Sequence, residues 1–337
     1  MRSCYKKMLD QLLDGDETSC IEDASIGSSA VTVFLKALNN FCGEVINVTS
    51  DQTTFEVRNL YEVVVNKEVD KAKEDLKPVI IIDAGQQGGK ESVMLALYVI
   101  EQLVACNDNS EMIEKVKWVV LPSTNPDGME FARYLMPYWK KNLKPLDDGP
   151  RLGVDISRNF DKEWNSCPEV ENKFSQIYPG AAAVSENETI FIQNALKKYQ
   201  KNAKIYLSIR RDGHSIAYPY GYSKTAPSNE AKLKRVASEI ATRVNQKTNG
   251  IYLFVNTSIY ELEGKQYCGH SVDYANDLGI PLCFEMRVFL ENNNKIISKF
   301  HKMPRGFEAS LRNGYFSGIR ELYNVIVNQK KYPKMFD

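Results

Sequence analysis

Short, wholly apolar runs alternate along this chain with longer stretches whose apolar positions recur at helical spacing. Val79 to Asp83 reads VIIID, a β-branched run without polar alternation, which predicts a strand buried on both faces. From Glu91 to Cys106, Val93, Leu97, Ile100, Leu103 and Val104 fall on one side of a helix. Trp118 to Leu121 predicts a second buried strand, running into the turn Asn125-Pro126-Asp127-Gly128. The alternation continues with a helix near Ser185 to Tyr199, a strand at Ala203 to Ile209, a helix with Leu233, Val236, Ala237, Ile240 and Val244 on its core side, and a strand at Pro281 to Met286. Phe307 to Val327 closes the series as a long helix striped by Phe307, Leu311, Tyr315, Ile319, Leu322 and Ile326. Such an order predicts an α/β fold with a mostly parallel or mixed sheet, covered on both faces.

Residues 1–30 lack strong periodicity and read as an N-terminal extension or propeptide remnant, 31–327 as one domain and 328–337 as a C-terminal tail. The charged stretch Asn66 to Lys77 reads as a solvated connection. With 337 residues and 43% hydrophobic content, the chain can bury one large core. Lys plus Arg and Asp plus Glu both number 43, so no long-range field draws the protein to nucleic acid or an anionic membrane. The expected partner is instead small or peptide-like. No apolar stretch approaches the roughly 20 residues of a membrane span, and Met1 to Cys20 is too polar for a signal sequence. Seven scattered cysteines form no C-x-x-C pair, and an odd count leaves at least one thiol unpaired.

The segment after VIIID, Ala84-Gly85-Gln86-Gln87-Gly88-Gly89-Lys90-Glu91, has the strand-loop-helix placement of a phosphate-binding loop but not its spacing. A Walker loop needs four residues between its first Gly and the Gly-Lys, then a hydroxyl for Mg²⁺. Here three intervene, and Glu91 stands where the hydroxyl belongs.

LPSTNPDG (Leu121 to Gly128), GVDISRNFD (Gly153 to Asp161), YPGAAAVSENET (Tyr178 to Thr189), IYLSIRRDGHSIAYPYGY (Ile205 to Tyr222) and IPLCFEMR (Ile280 to Arg287) follow in order. Together with Val79 to Glu91 they resemble the zinc metallocarboxypeptidases of the carboxypeptidase A/B type, from about Val31 to about Val327. The resemblance implies a single-domain α/β fold, a central twisted mixed sheet of about eight strands with helices on both faces. It also implies an extracellular setting. Active members hold zinc with two His and one Glu. The first His position falls on Gln87 or Gly88, the Glu on Lys90 or Glu91, and the last His on Arg210. The chain's three histidines are His214, His270 and His301, so no His precedes residue 214 and the amino-terminal ligand cannot exist. His214 lies four residues beyond Arg210, roughly 13 Å along a strand, too far to substitute directly. A guanidinium that stays protonated is no zinc ligand, so the expected cofactor content is none.

The family's general base falls on Glu285, which without a metal faces water of ordinary pKa. The resemblance places the carboxylate anchor at Ser157 and Arg158, plus a tyrosine that is Tyr260 or, given a longer loop, Tyr267. It puts the carbonyl-polarising cation at Lys140 and the pocket floor at Val272, which implies an apolar terminal side chain. The usual disulfide of the family is expected to be absent, Cys167 having no evident partner. With the zinc gone, Glu285 needs another cation. Arg210 is expected beside it, with Lys90 as second candidate. Asp212, two residues on along the same strand, is expected to point the same way. These positions imply a catalytically inactive relative that binds peptide or protein C-termini. An active enzyme recruiting zinc through Gln87, Glu91 and His214 is one alternative, and a structural or storage protein is another.

Overall fold

A computed structural model describes residues 1–12, 26–68, 76–146, 149, 152–168, 170, 172–250, 253–289, 307–328 and 330–336. His301, the middle of the expected connection after Asn66 and part of the N-terminal extension lie outside them. The chain runs α1 (Ser3–Leu12), α2 (Ser28–Cys42), β1 (Ile46–Thr53), β2 (Asn59–Val65), β3 (Val79–Ala84), α3 (Lys90–Ala105), α4 (Ser110–Lys115), β4 (Lys117–Leu121) and α5 (Pro126–Tyr134). It continues with α6 (Asn187–Tyr199), β5 (Ala203–Arg210), β6 (Ser215–Tyr218), α7 (Glu230–Lys247), β7 (Val255–Ser258), α8 (Ile259–Glu263), α9 (Ser271–Asp277), β8 (Leu282–Arg287) and α10 (Phe307–Val327).

The strands form one mixed eight-stranded sheet in the order β1-β2-β4-β3-β5-β8-β6-β7. Its centre is parallel, β3 lying between β4 and β5, and β5 beside β8. The runs without polar alternation are these central strands, and their burial on both faces follows from packing on both sides. Ile80, Ile82, Leu207, Ile209, Phe284 and Met286 join a core shared with α2, α3, α7 and α10. Val79, Ile81, Tyr206 and Cys283 point the other way, into a core with α6, α8 and α9.

Sequence patterning missed β1, β2, β6 and β7. Strand β1 is an edge strand, INVTSDQT, with only Ile46 buried, held by antiparallel pairing with β2. Its polar composition carries no strand period, and tertiary pairing decides. Strands β6 and β7 have four residues each, too few for any pattern. Helix α2 begins at Ser28 and continues through residue 31, and a Cys4–Cys42 disulfide ties α1 to it.

The glycines of the loop before α3 serve packing. Gly88 has φ +63°, and a Cβ there would lie 2.7 Å from the backbone of Gly128. At Gly89 a Cβ would collide with the side chain of Arg211.

Candidate functional site

Alternation along the central strands brings the polar residues of the sheet to one place. On β3, β5 and β8 the side chains of Asp83, Ser208, Arg210, Glu285 and Arg287 share the face that carries Tyr206 and Cys283, at the C-terminal ends of three parallel strands. Register aligns them: Asp83 opposite Ser208, Ser208 opposite Glu285, and Arg210 opposite Arg287. Open α/β sheets place their ligand sites at such strand ends.

Glu285 is the hub. Its Oε2 lies 3.0 Å from Nε of Arg210 and 2.7 Å from Nε2 of His270, and its Oε1 accepts from Nε of Arg287 at 2.6 Å. Arg287 also reaches Glu263. Burial alone would raise the carboxyl's pKa, but Arg210, Arg287 and the bond to His270 hold it well below the usual carboxylate range. His270 is fully buried and its Nδ1 accepts from the backbone N–H of Val272, so Nε2 carries the ring proton and donates to Glu285. Desolvation, then the nearby Arg210 charge, lowers its pKa to about 4.

A second cluster adjoins the first through Arg210, whose Nη1 donates to the Tyr267 hydroxyl at 2.6 Å. That hydroxyl meets Oγ of Ser157 at 2.6 Å, Ser157 donates to Asp155 at 2.6 Å, and Gln87 Nε2 donates to Ser157 at 3.2 Å. Proton accounting makes Tyr267 the donor to Ser157, since the single hydroxyl proton of Ser157 is given to Asp155. Arg158 donates through Nε to Asp155 at 3.1 Å, and its guanidinium stacks 3.8 Å above the Tyr267 ring. Among the described residues, its two terminal nitrogens have no hydrogen-bond partner.

The donor set does not fit zinc. At the former ligand positions stand a buried, charged guanidinium and an amide whose nitrogen is engaged with Ser157. Among the described residues no group of three or more His, Cys, Asp or Glu could hold a metal ion. Glu91 opens α3 beside Lys90 and lies in no such group. Gln86 is the more deeply buried of the two glutamines, donating to Asp83 at 2.9 Å and Ser271 at 3.0 Å. Burial pushes the Asp83 carboxyl up to about 6 against these donors. His214 bonds to the Tyr315 hydroxyl at 2.7 Å and packs on Phe254, both in the core on the other face of the sheet, whereas an atypical ligand set would require it beside Gln87 and Glu91.

Several expectations are corrected. Strand β5 ends at Arg210, and Asp212 adopts φ +64°, which carries it off the strand to Lys140 at 3.6 Å and Arg211 at 3.1 Å instead of to Arg210. Lys140 is thus paired outside the Glu285 cluster. Of the two candidate tyrosines, Tyr267 enters the site, while Tyr260 stands on α8 with Lys224 5.6 Å from its ring. Cys167 does have a partner, forming a disulfide with Cys268, the neighbour of Tyr267. Val272 is buried in the same apolar cluster as Tyr267. Reasoning from sequence overlooked His270 and Arg287. Arg287 had a signal, since it lies two residues beyond Glu285 on one strand and must share its face. His270 sits in a loop, where no period points.

Zinc carboxypeptidases as a family match residues 31–309. The chain is 31% identical over 222 residues to carboxypeptidase B of Helicoverpa zea, covering 63% of this chain and 51% of that protein. It is 30% identical to human mast cell carboxypeptidase A over 183 residues, 53% of this chain and 42% of that one. The chain therefore spans about half the length of these curated relatives. Carboxypeptidase A from Helicoverpa armigera superposes with a TM-score of 0.81 at 22% identity, over 96% of this chain and 81% of that structure. Fold, profile and the ordered motifs agree: the chain belongs to the zinc carboxypeptidase family.

Proposed function

We propose that this protein is a carboxypeptidase-like binder of free carboxyl termini that has lost zinc-dependent hydrolysis. The observation that carries the reading is the engagement of both Glu285 oxygens by side chains, Arg210 and His270 on one and Arg287 on the other. A general base must accept a proton from an attacking water. A carboxylate held far below its ordinary pKa by two guanidinia is a weak base for activating water. Carboxylate binding is supported by Arg158, oriented by Asp155 with its terminal nitrogens unpartnered among the described residues.

The test is a titration with a peptide ending in a free apolar residue and with its C-terminal amide. The acid should bind, remain uncleaved, and lose at least about tenfold in affinity with Arg158→Ala, the strength of a charged hydrogen bond. Equal binding of acid and amide would reject the carboxylate reading and favour a structural role.

A further inference from the structure

Tyr267 and Val272 are both buried, at 1% and 0% exposure. Both belong to one apolar cluster, with the Arg158 guanidinium 3.8 Å over the Tyr267 ring and the His270 ring meeting it edge-on at 4.8 Å. Its backbone N–H is bonded to Gly221 O, and the next residue is anchored by the Cys167–Cys268 disulfide. Neither Tyr267 nor Val272 therefore offers an open surface to a ligand whose carboxylate meets Arg158.

Arg158 also lines a separate cavity of about 440 Å³, to which neither Tyr267 nor Val272 contributes. Trp164, Ile177, Tyr178 and Pro179 give it apolar walls, and the disulfide forms another part of its lining. The described lining includes two cations, Arg158 and Lys265, and no carboxylate. Its volume falls within the roughly 300 to 1,000 Å³ of small-ligand sites, and its mixture of apolar walls with few charged groups is their usual composition.

We propose that this cavity receives the apolar side chain of a ligand whose free carboxylate meets Arg158. The proposal rests on the carboxylate-binding reading of Arg158. The shared chemistry, an apolar group next to a carboxylate, occurs in a small acylated amino acid and in a peptide terminus.

Calorimetric titration with N-acetylphenylalanine, its amide and a tetrapeptide ending in phenylalanine tests the assignment. Both acids should bind and the amide should not. Ile177→Asp, which puts a carboxylate in the wall, should abolish binding. Lys265→Glu should weaken it severalfold, and because Lys265 is exposed this variant keeps the fold even if the other does not. Tighter binding of the tetrapeptide would identify a peptide terminus as the ligand, and equal binding a small acid. Wild-type affinity in both Ile177→Asp and Lys265→Glu, with binding lost in Arg158→Ala, would overturn the cavity assignment and leave the Arg158 reading intact. No binding of either acid to the wild type would overturn both.

Discussion

Nε of Arg210 lies 3.0 Å from Oε2 of Glu285, with the two side chains 2% and 0% exposed. An arginine thus stands at a position where the family resemblance expects a metal ligand, and it balances the carboxylate. Removing one member of a buried pair strands the other.

Arg210→Met should therefore destabilise the protein by about 3 kcal/mol, somewhat cushioned by Arg287 and His270. Arg210→Met combined with Glu285→Gln should recover part of that loss, because no unpaired charge remains. Urea denaturation of the two variants checks this. A single variant as stable as the wild type would show that the pair contributes nothing.

His270 sets a pH dependence. Its folded pKa, about 4, is depressed from the ordinary 6.5. As pH falls between those values the unfolded chain takes up the proton first, so stability is lost on acidification, at most about 1.4 kcal/mol per pH unit. The stability advantage of the wild type over His270→Gln should shrink between pH 7 and pH 4.5. An advantage that stays constant or grows would mean that the ring is not held neutral.

Arg210→His restores one imidazole at a former ligand position. Gln87 and Lys90 still offer no adequate partners. This variant should lose stability by stranding Glu285 and should bind zinc no better than the wild type. Stoichiometric zinc by mass spectrometry of the native protein would contradict the assignment of Arg210.

The parts of this architecture that the sequence made legible are those where burial on both sheet faces writes a continuous apolar run, as in VIIID, or where one buried side writes a helical stripe, as in Phe307 to Val327. Edge strand β1 was hidden because one buried residue in eight sets no period. At the site, Arg210 beside Glu285 was legible from the family resemblance and the carboxylate's need for a cation, whereas Arg287 was overlooked although its spacing along the strand carried the signal. Asp212 was misplaced because the strand ends two residues earlier in a left-handed turn. Tyr267, His270 and the Cys167–Cys268 bond depend on how one loop folds back over the sheet, which residue spacing does not encode.

That bond closes a loop of 101 residues. Chain-entropy arguments give such a crosslink up to about 4.7 kcal/mol, and removal of native disulfides typically costs 2 to 5. Cys167→Ser with Cys268→Ser should lower the midpoint of thermal unfolding by several degrees and expose Tyr267. Tyrosine fluorescence quenching by acrylamide reads the second effect. Unchanged quenching would separate the disulfide from the placement of Tyr267.

The most direct test of the account is the metal content of the purified protein, measured together with hydrolysis of a peptide ending in a free apolar residue. The Glu285–Arg210 pair predicts far less than one zinc per chain and no release of the terminal residue, with or without added zinc. One zinc per chain accompanied by turnover that disappears in Glu285→Gln would contradict it.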